Sequence, residues 1–102
     1  MNAPVRTRLF GLGQIVATPG AIDATTPEQR LGYLRNHASG NWGCVCEEDR
    51  ELNDLSVNDG SRILSAYAID PSKPSKGYGE NTVWIITEAD RSVTTFLLPT
   101  EY

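Results

Sequence analysis

The sequence predicts an α+β fold, a small antiparallel sheet packed against two helices. Three apolar runs near the C-terminus, ILSAYAI, TVWIIT and SVTTFLL, are rich in β-branched and aromatic residues and are separated by turn-forming segments. Two stretches upstream carry helix start and stop signals instead. A chain of 102 residues is the size of one domain. We therefore expect the order β-α-α-β-β-β within a single domain.

The first part of the chain is predicted to form an arm and an edge strand. Residues 1–8 are polar and basic, so we expect a flexible N-terminal arm, with residues 9–102 forming the domain. LFGLGQIVAT, from Leu9 to Thr18, is typical of a strand and is assigned to an edge of the sheet. Pro19-Gly20 predicts a turn, and residues 21–25 could add one helical turn.

The first main helix has a clear beginning and end. In TPEQ at residues 26–29, threonine is the cap, proline takes the first helical position, and glutamine can bond back to the cap N–H. Gly40 is placed to end the helix. The residues predicted to form its apolar face are Leu31, Leu34 and Ala38.

A second helix is predicted to start near Glu47, directly after Cys46. Three acids in its first turn complement the positive end of the helix dipole. Leu52 and Leu55 are predicted to form its buried face, and Gly60 to end it.

The C-terminal third predicts a three-stranded meander. Its strands are assigned to residues 63–69, 82–87 and 92–98. Residues 70–80 are rich in Pro, Ser, Lys and Gly and predict a flexible hairpin tip, and residues 88–91 predict a tight turn. TVWIIT carries large apolar groups on both faces, so we place it centrally in the sheet.

Charge and composition exclude several classes of function. The net charge is −4, and residues 47–59 contribute six acids and one arginine, which leaves about +1 for the remainder. This balance disfavours nonspecific nucleic-acid binding. No apolar run is long enough for a membrane span or a signal peptide, so we expect no membrane association. The two cysteines are too close in sequence for a disulfide between them to stabilise the fold, which favours a reduced, cytoplasmic protein.

The segment HASGNWGCVCEEDRELND, residues 37–54, concentrates the chemically active side chains. His37, Cys44 and Cys46 are one ligand short of a structural zinc site, and Asp49 would have to complete it. A cysteine nucleophile needs a base held within hydrogen-bonding reach and a third group that orients the base, so we expect no activated thiolate at Cys46. Phosphate-binding glycine loops and nucleophile-elbow sequences are absent. We therefore predict no metal, no cofactor and no catalytic residue.

The same segment is a candidate binding surface. Its acidic helix could mimic nucleic acid and occupy a basic cleft, or it could be a solvated face with acids placed for the dipole. Trp42 could be a lid over the core or an exposed binding hot spot. His37 could be a helix-end residue near the negative pole of the dipole. The candidate binding residues are Trp42, Glu47, Glu48, Glu51, Asp54, His37, Asp90 and Arg91.

Three stretches, FGLGQIVATPGAI, LRNHASGNWG and WIITEADRSVTTFLLPTEY, resemble a family of small, mostly uncharacterised bacterial proteins common on plasmids and other mobile elements. The resemblance runs from Phe10 to Tyr102. The chain departs from the family pattern at Cys44, where aspartate is frequent, and in its longer 70–80 tip. Some members are labelled type I restriction endonuclease subunit M. This chain lacks the cofactor domain and the Asn/Asp-Pro-Pro-Tyr/Phe loop that DNA adenine methylation requires.

The resemblance implies a cytoplasmic accessory role for a mobile element. Our leading hypothesis is a non-enzymatic protein that binds and modulates a protein partner, such as a nucleic-acid-processing or defence complex. A second hypothesis is a small enzyme or toxin that uses His37 with Asp90 and Arg91. A third is a homo-oligomeric structural module, so a homodimer stays open. We expect no direct nucleic-acid binding.

Overall fold

The computed structural model describes residues 8–102 and has the predicted α+β architecture. The predicted arm lies outside the described residues except for Arg8, which is exposed. A four-stranded sheet carries three helices. The elements are β1 (Gln14–Ala17), α1 (Pro19–Ala24), α2 (Pro27–Ala38), α3 (Glu47–Asp59), β2 (Ile63–Ala68), β3 (Thr82–Thr87), β4 (Val93–Leu97) and a final 3-10 turn (Pro99–Glu101).

The strand order is β1-β4-β3-β2. β2, β3 and β4 form the predicted antiparallel meander, and β3 is an interior strand as expected. β1 lies at an edge, also as expected, but it pairs with β4 in parallel, so the sheet is mixed. The Gln14 N–H donates to the Ser92 carbonyl and the Thr18 N–H to the Phe96 carbonyl, both at 2.9 Å. A parallel pairing needs a long crossover connection, and the three α-helices of residues 8–102 all lie between these two strands.

The prediction of a turn at Pro19-Gly20 is wrong, because these residues open α1. Proline suits the first turn of a helix, where its missing N–H costs nothing. Thr18 is the cap, and its hydroxyl accepts from the Ala21 N–H at 3.3 Å. The carboxylate of Glu101 accepts from the Gly20 N–H at 3.0 Å, which ties the C-terminal turn to the start of α1.

Helix α2 begins with the predicted capping box. The Gln29 N–H donates to the Thr26 hydroxyl at 3.1 Å, and the Thr26 N–H donates to the Gln29 side chain at 2.8 Å. Leu34 and Ala38 face the core as expected, but Leu31 is 51 % exposed. The helix covers the sheet face that carries Ser65, Tyr67, Ile85 and Thr87.

Helix α3 has the predicted ends, and Gly60 closes it in the left-handed conformation at φ 81°. Its orientation contradicts the prediction. Leu52 and Leu55 are 59 % and 63 % exposed; the buried residues are Asn53 and Ser56, and Val57 packs partly buried against the core. Side-chain polarity alone therefore did not decide which face of this helix is buried.

The backbone groups at the β2 edge of the sheet need hydrogen-bond partners, and this need explains the orientation of α3. The Asn53 amide N–H donates to the Leu64 carbonyl at 2.6 Å, and the Leu64 N–H donates back to the Asn53 side-chain oxygen at 3.2 Å. Asn53 thus takes the place of a neighbouring strand along β2. Unpaired backbone groups are costly when they are buried, so this polar contact prevails over the burial of leucine.

The 70–80 connection folds back over the sheet. The Trp84 indole N–H donates to the Gly77 carbonyl at 2.8 Å, and the Asn81 side-chain oxygen accepts from the Asp70 N–H at 2.8 Å.

Among residues 8–102, no helix is both long and apolar enough to cross a membrane.

Candidate functional site

His37 lies in the core, fully buried, one helical turn from Leu34. Its Nδ1 is 2.6 Å from the Ser65 hydroxyl of β2, and its Nε2 is 2.8 Å from the Thr87 hydroxyl of β3. The side chain therefore joins α2 to two strands of the sheet. His37 lies in the last turn of α2, as the helix-end interpretation expects, but its ring is buried and points to the sheet.

The proton positions in this cluster follow from its last member. The Thr94 hydroxyl donates its hydrogen to the Leu12 carbonyl at 2.7 Å, so it must accept from Thr87, also at 2.7 Å. Thr87 has then used its own hydrogen and accepts from His37 Nε2–H. Nδ1 in turn accepts from Ser65. The imidazole is the neutral Nε2–H tautomer, with every hydrogen-bonding group satisfied.

Burial, assisted by the positive charge of Arg91, lowers the pKa of His37 to about 3. Ser65 and His37 have the spacing of a nucleophile and its base, but both are 0 % exposed. A substrate has no access to either atom, and both ring nitrogens already have partners. This arrangement stabilises the fold and offers no path for nucleophilic catalysis in the folded chain.

Asp90 and Arg91, the other members of the enzyme hypothesis, have structural partners. Asp90 accepts from the backbone N–H of Ser92 at 3.0 Å and from its hydroxyl at 2.6 Å, and these bonds lower the pKa of Asp90. Arg91 donates to the carbonyls of Ser56 at 2.8 Å and Ser61 at 2.6 Å, so it fastens the end of α3 to the β3–β4 turn.

An aromatic ring separates the arginine from the histidine. The Arg91 guanidinium lies 5.5 Å from the centroid of the Phe10 ring, and the Phe10 and His37 rings form a T-shaped pair with centroids 5.3 Å apart. Arg91 and His37 therefore contact the same ring, whereas the hydrogen bonds of Asp90 and Arg91 go to other groups of the fold.

Trp42 is 3 % exposed, so it is a lid over the core and is removed from the set of surface binding residues. Its indole N–H donates to Asp54 Oδ1 at 2.9 Å. Asp54 thus fastens the loop before α3 to the helix itself. Two of the predicted binding residues are explained by the local fold.

The remaining predicted acids, Glu47, Glu48 and Glu51, are exposed on α3. Glu47 forms a surface ion pair with Arg50 at 3.7 Å. Four residues stand at i, i+3, i+4 and i+7 and share the outward face. We call this surface the acidic–leucine face; its members are Glu48, Glu51, Leu52 and Leu55.

Sequence analysis did not identify the two leucines as surface residues. Their spacing predicted a buried stripe, and only their placement beside Asn53 reveals the outward direction. For His37 a signal was present, because it stands at i+3 from Leu34 on the apolar face of α2. That spacing is more typical of a core position than of a helix end.

The cysteines are both unpaired and lie at the start of the α3 region. The Cys44 thiol donates to the Ala66 carbonyl at 3.3 Å, and Cys46 is exposed. Within the part of the chain that the structure describes, no three His, Cys, Asp or Glu side chains are grouped as metal ligands. His37 could not join the cysteines at a metal without leaving its partners in the core.

Comparison of the chain with protein-family models, curated proteins and solved structures found no match. A function for this chain therefore has to be inferred from its own residues.

Proposed function

We propose that this chain is a non-enzymatic protein-binding module and that the acidic–leucine face of α3 is its binding surface. The supporting observation is the exposure of Leu52 and Leu55, at 59 % and 63 %, on a helix whose fully buried positions are asparagine and serine. Single exposed leucines are ordinary, but two neighbours on one helical face form a continuous apolar contact.

The energetics favour burial of this surface by a partner. Full burial of a leucine side chain stabilises a complex by roughly 1.5–3 kcal/mol relative to exposure. Leu52 and Leu55 contribute nothing comparable within the folded chain, since the sheet edge takes Asn53 instead. A partner groove that accepts both leucines would recover this free energy.

The flanking charges define the chemistry of the partner. Glu48 and Glu51 lie on the same face as the leucines, and residues 47–59 carry a net charge of −5. Such a surface favours a partner that is apolar at its centre and basic at its rim, and it steers the encounter electrostatically. Basic clefts are typical of nucleic-acid-processing proteins.

We propose that this binding takes place in the cytoplasm of a bacterial host, as an accessory function of a mobile element; the resemblance to plasmid-related proteins supports this proposal. We propose a nucleic-acid-processing or defence complex as the partner. The buried, neutral His37 supports the non-enzymatic assignment, because the second hypothesis requires it to be accessible.

Affinity capture from host cells tests the binding surface. Leu52→Ser with Leu55→Ser should reduce recovery of the captured partner at least tenfold. The matched control is Leu31→Ser, which changes a leucine that is 51 % exposed on α2. Thermal melting of each variant checks that the fold is intact.

Charge reversal on α3 gives a second, independent test of the binding surface. Glu48→Lys with Glu51→Lys should also abolish capture, and high salt should weaken capture by the wild-type chain. Glu28→Lys, on α2, is the control for a general change of charge. Capture that survives both double substitutions would refute the proposed surface.

A further inference from the structure

The two edges of the sheet differ in how their backbone groups are satisfied. Along β2, the outward groups of Leu64 and Ala66 and the carbonyl of Ala68 all have partners. Ala66 donates to the Trp42 carbonyl at 3.1 Å and accepts from the Cys44 N–H at 2.7 Å. Asn53 pairs with Leu64, as described above. The Tyr33 hydroxyl donates to the carbonyl of the last residue of β2, Ala68.

The β1 edge has no such cover within residues 8–102. Gln14 and Thr18 donate to β4, so the parallel ladder uses the even-numbered residues of this strand. The N–H and C=O groups of Ile15 and Ala17 therefore point away from β4. No hydrogen bond reaches them from any described residue.

The strand at this edge carries no charge, and the groove beside it is mostly apolar, with Arg30 as its one charged lining residue. Ile15 is 44 % exposed, and with Ile22 and Leu31 it borders a groove of about 410 Å³ above Leu34 and Phe96. Residues 9–22 contain no charged side chain. Sheet edges that must stay free are usually protected by charges, a bulge or an internal proline, and β1 has none of these.

We propose that β1 pairs antiparallel with β1 of a second copy of this chain, about a two-fold axis through Val16. In that register Ile15 lies opposite Ala17 of the second copy, and each pair exchanges two hydrogen bonds. Both residues have their backbone groups directed outward, so the symmetric register uses every free group of the strand. The product is a continuous eight-stranded sheet with an isologous interface.

The charge distribution identifies the second copy as the occupant. The acidic segment 47–59 packs beside β2, at the opposite end of the strand order. Pairing through β1 therefore puts the two acidic helices at the far ends of the joined sheet, where their repulsion is smallest. The neutral β1 segment meets itself without like-charge repulsion. This inference is independent of the proposed α3 surface, which stays exposed in the dimer.

Sedimentation velocity or light scattering of the full chain tests the proposal. The wild type should form a concentration-dependent dimer across the micromolar range. Ile15→Pro removes an outward N–H and leaves the bonds to β4 in place, so it should be a monomer with wild-type circular dichroism. Ile15→Thr, which loses similar apolar area but keeps the N–H, should still dimerise.

A cross-link gives a second measurement should Ile15→Pro fail to fold. Val16 would face its symmetry mate across a non-hydrogen-bonded pair, where Cα atoms are close enough for a disulfide. In a Cys44→Ser, Cys46→Ser background, Val16→Cys should oxidise to a covalent dimer. Thr95→Cys, on the neighbouring strand and the same sheet face, should not. A wild type that stays monomeric across the micromolar range would overturn the proposal, and so would equal cross-linking by the Val16→Cys and Thr95→Cys variants.

Discussion

The Nε2 atom of His37 and the hydroxyl of Thr87 lie 2.8 Å apart in the interior, joining α2 to β3. Thr87 donates onward to Thr94, and Thr94 to the Leu12 carbonyl, which precedes β1. One line of hydrogen bonds thus crosses the sheet beneath the helix. This line of hydrogen bonds depends on the neutral imidazole, because only its Nε2–H form donates to Thr87 and accepts from Ser65 at the same time.

Stability should fall with acidification in a window set by His37. Its pKa is about 3 in the folded chain and 6.5 in the unfolded chain, so the unfolded state takes up the proton first. The stabilisation is complete above pH 6.5 and is lost as the pH falls towards 3. We expect the free energy of unfolding to be about 2 kcal/mol lower at pH 5 than at pH 7.5.

Denaturant unfolding from pH 7.5 to 5 measures this loss. The carboxylates with lowered pKa values, such as Asp70 and Asp90, stay ionised across that range and do not obscure it. The chain has one histidine, so its imidazole NMR signals report His37 directly. A ring that titrates near pH 6.5 in the folded protein would contradict the prediction.

Thr87→Val should destabilise the fold by about 1–3 kcal/mol, because it leaves the His37 Nε2–H buried without an acceptor. Valine has nearly the shape of threonine, so packing changes little. The control is Thr95→Val, on the opposite face of β4, which should lie within about 0.5 kcal/mol of the wild type. Equal effects of the two substitutions in denaturant unfolding would argue against the hydrogen-bond line.

Asn53→Leu should destabilise the chain by about 1–3 kcal/mol, although it adds an apolar side chain to the inward face of α3. The substitution removes both hydrogen bonds that cover Leu64 at the edge of β2. Asn58→Leu, at an exposed position of the same helix, is the matched control and should be nearly neutral. A stabilised Asn53→Leu protein would show that the edge needs no polar cover.

Gly43→Ala should lower the stability by more than about 2 kcal/mol. Gly43 has φ +77°, and a Cβ there would lie 1.9 Å from the Ala66 carbonyl oxygen, where the loop crosses β2. In contrast, Gly32 lies in α2 with open space around the position of a Cβ. Gly32→Ala should raise the stability by up to about 1 kcal/mol, and thermal melting of both variants checks the pair.

Interactions between near neighbours were predictable from the sequence. The capping box at Thr26 and the helix end at Gly60 agree with the structure, since each depends on groups a few residues apart; the C-terminal meander also agrees, because its strands follow one another along the chain. The parallel pairing of β1 with β4 was missed, because it joins segments separated by three helices. Periodicity identifies a strand, but it carries no information on the direction of a distant partner.

The sequence by itself determined the fold class, the ends of α2 and α3, and the concentration of negative charge in residues 47–59. The tertiary structure alone decided which of these residues face outward. Leu52 and Leu55 became surface residues because the edge of β2 required the amide of Asn53, and His37 became a core residue because hydroxyls from two strands complete its hydrogen bonds. Both outcomes depend on polar groups brought together by folding, and such groups must be paired when they leave water.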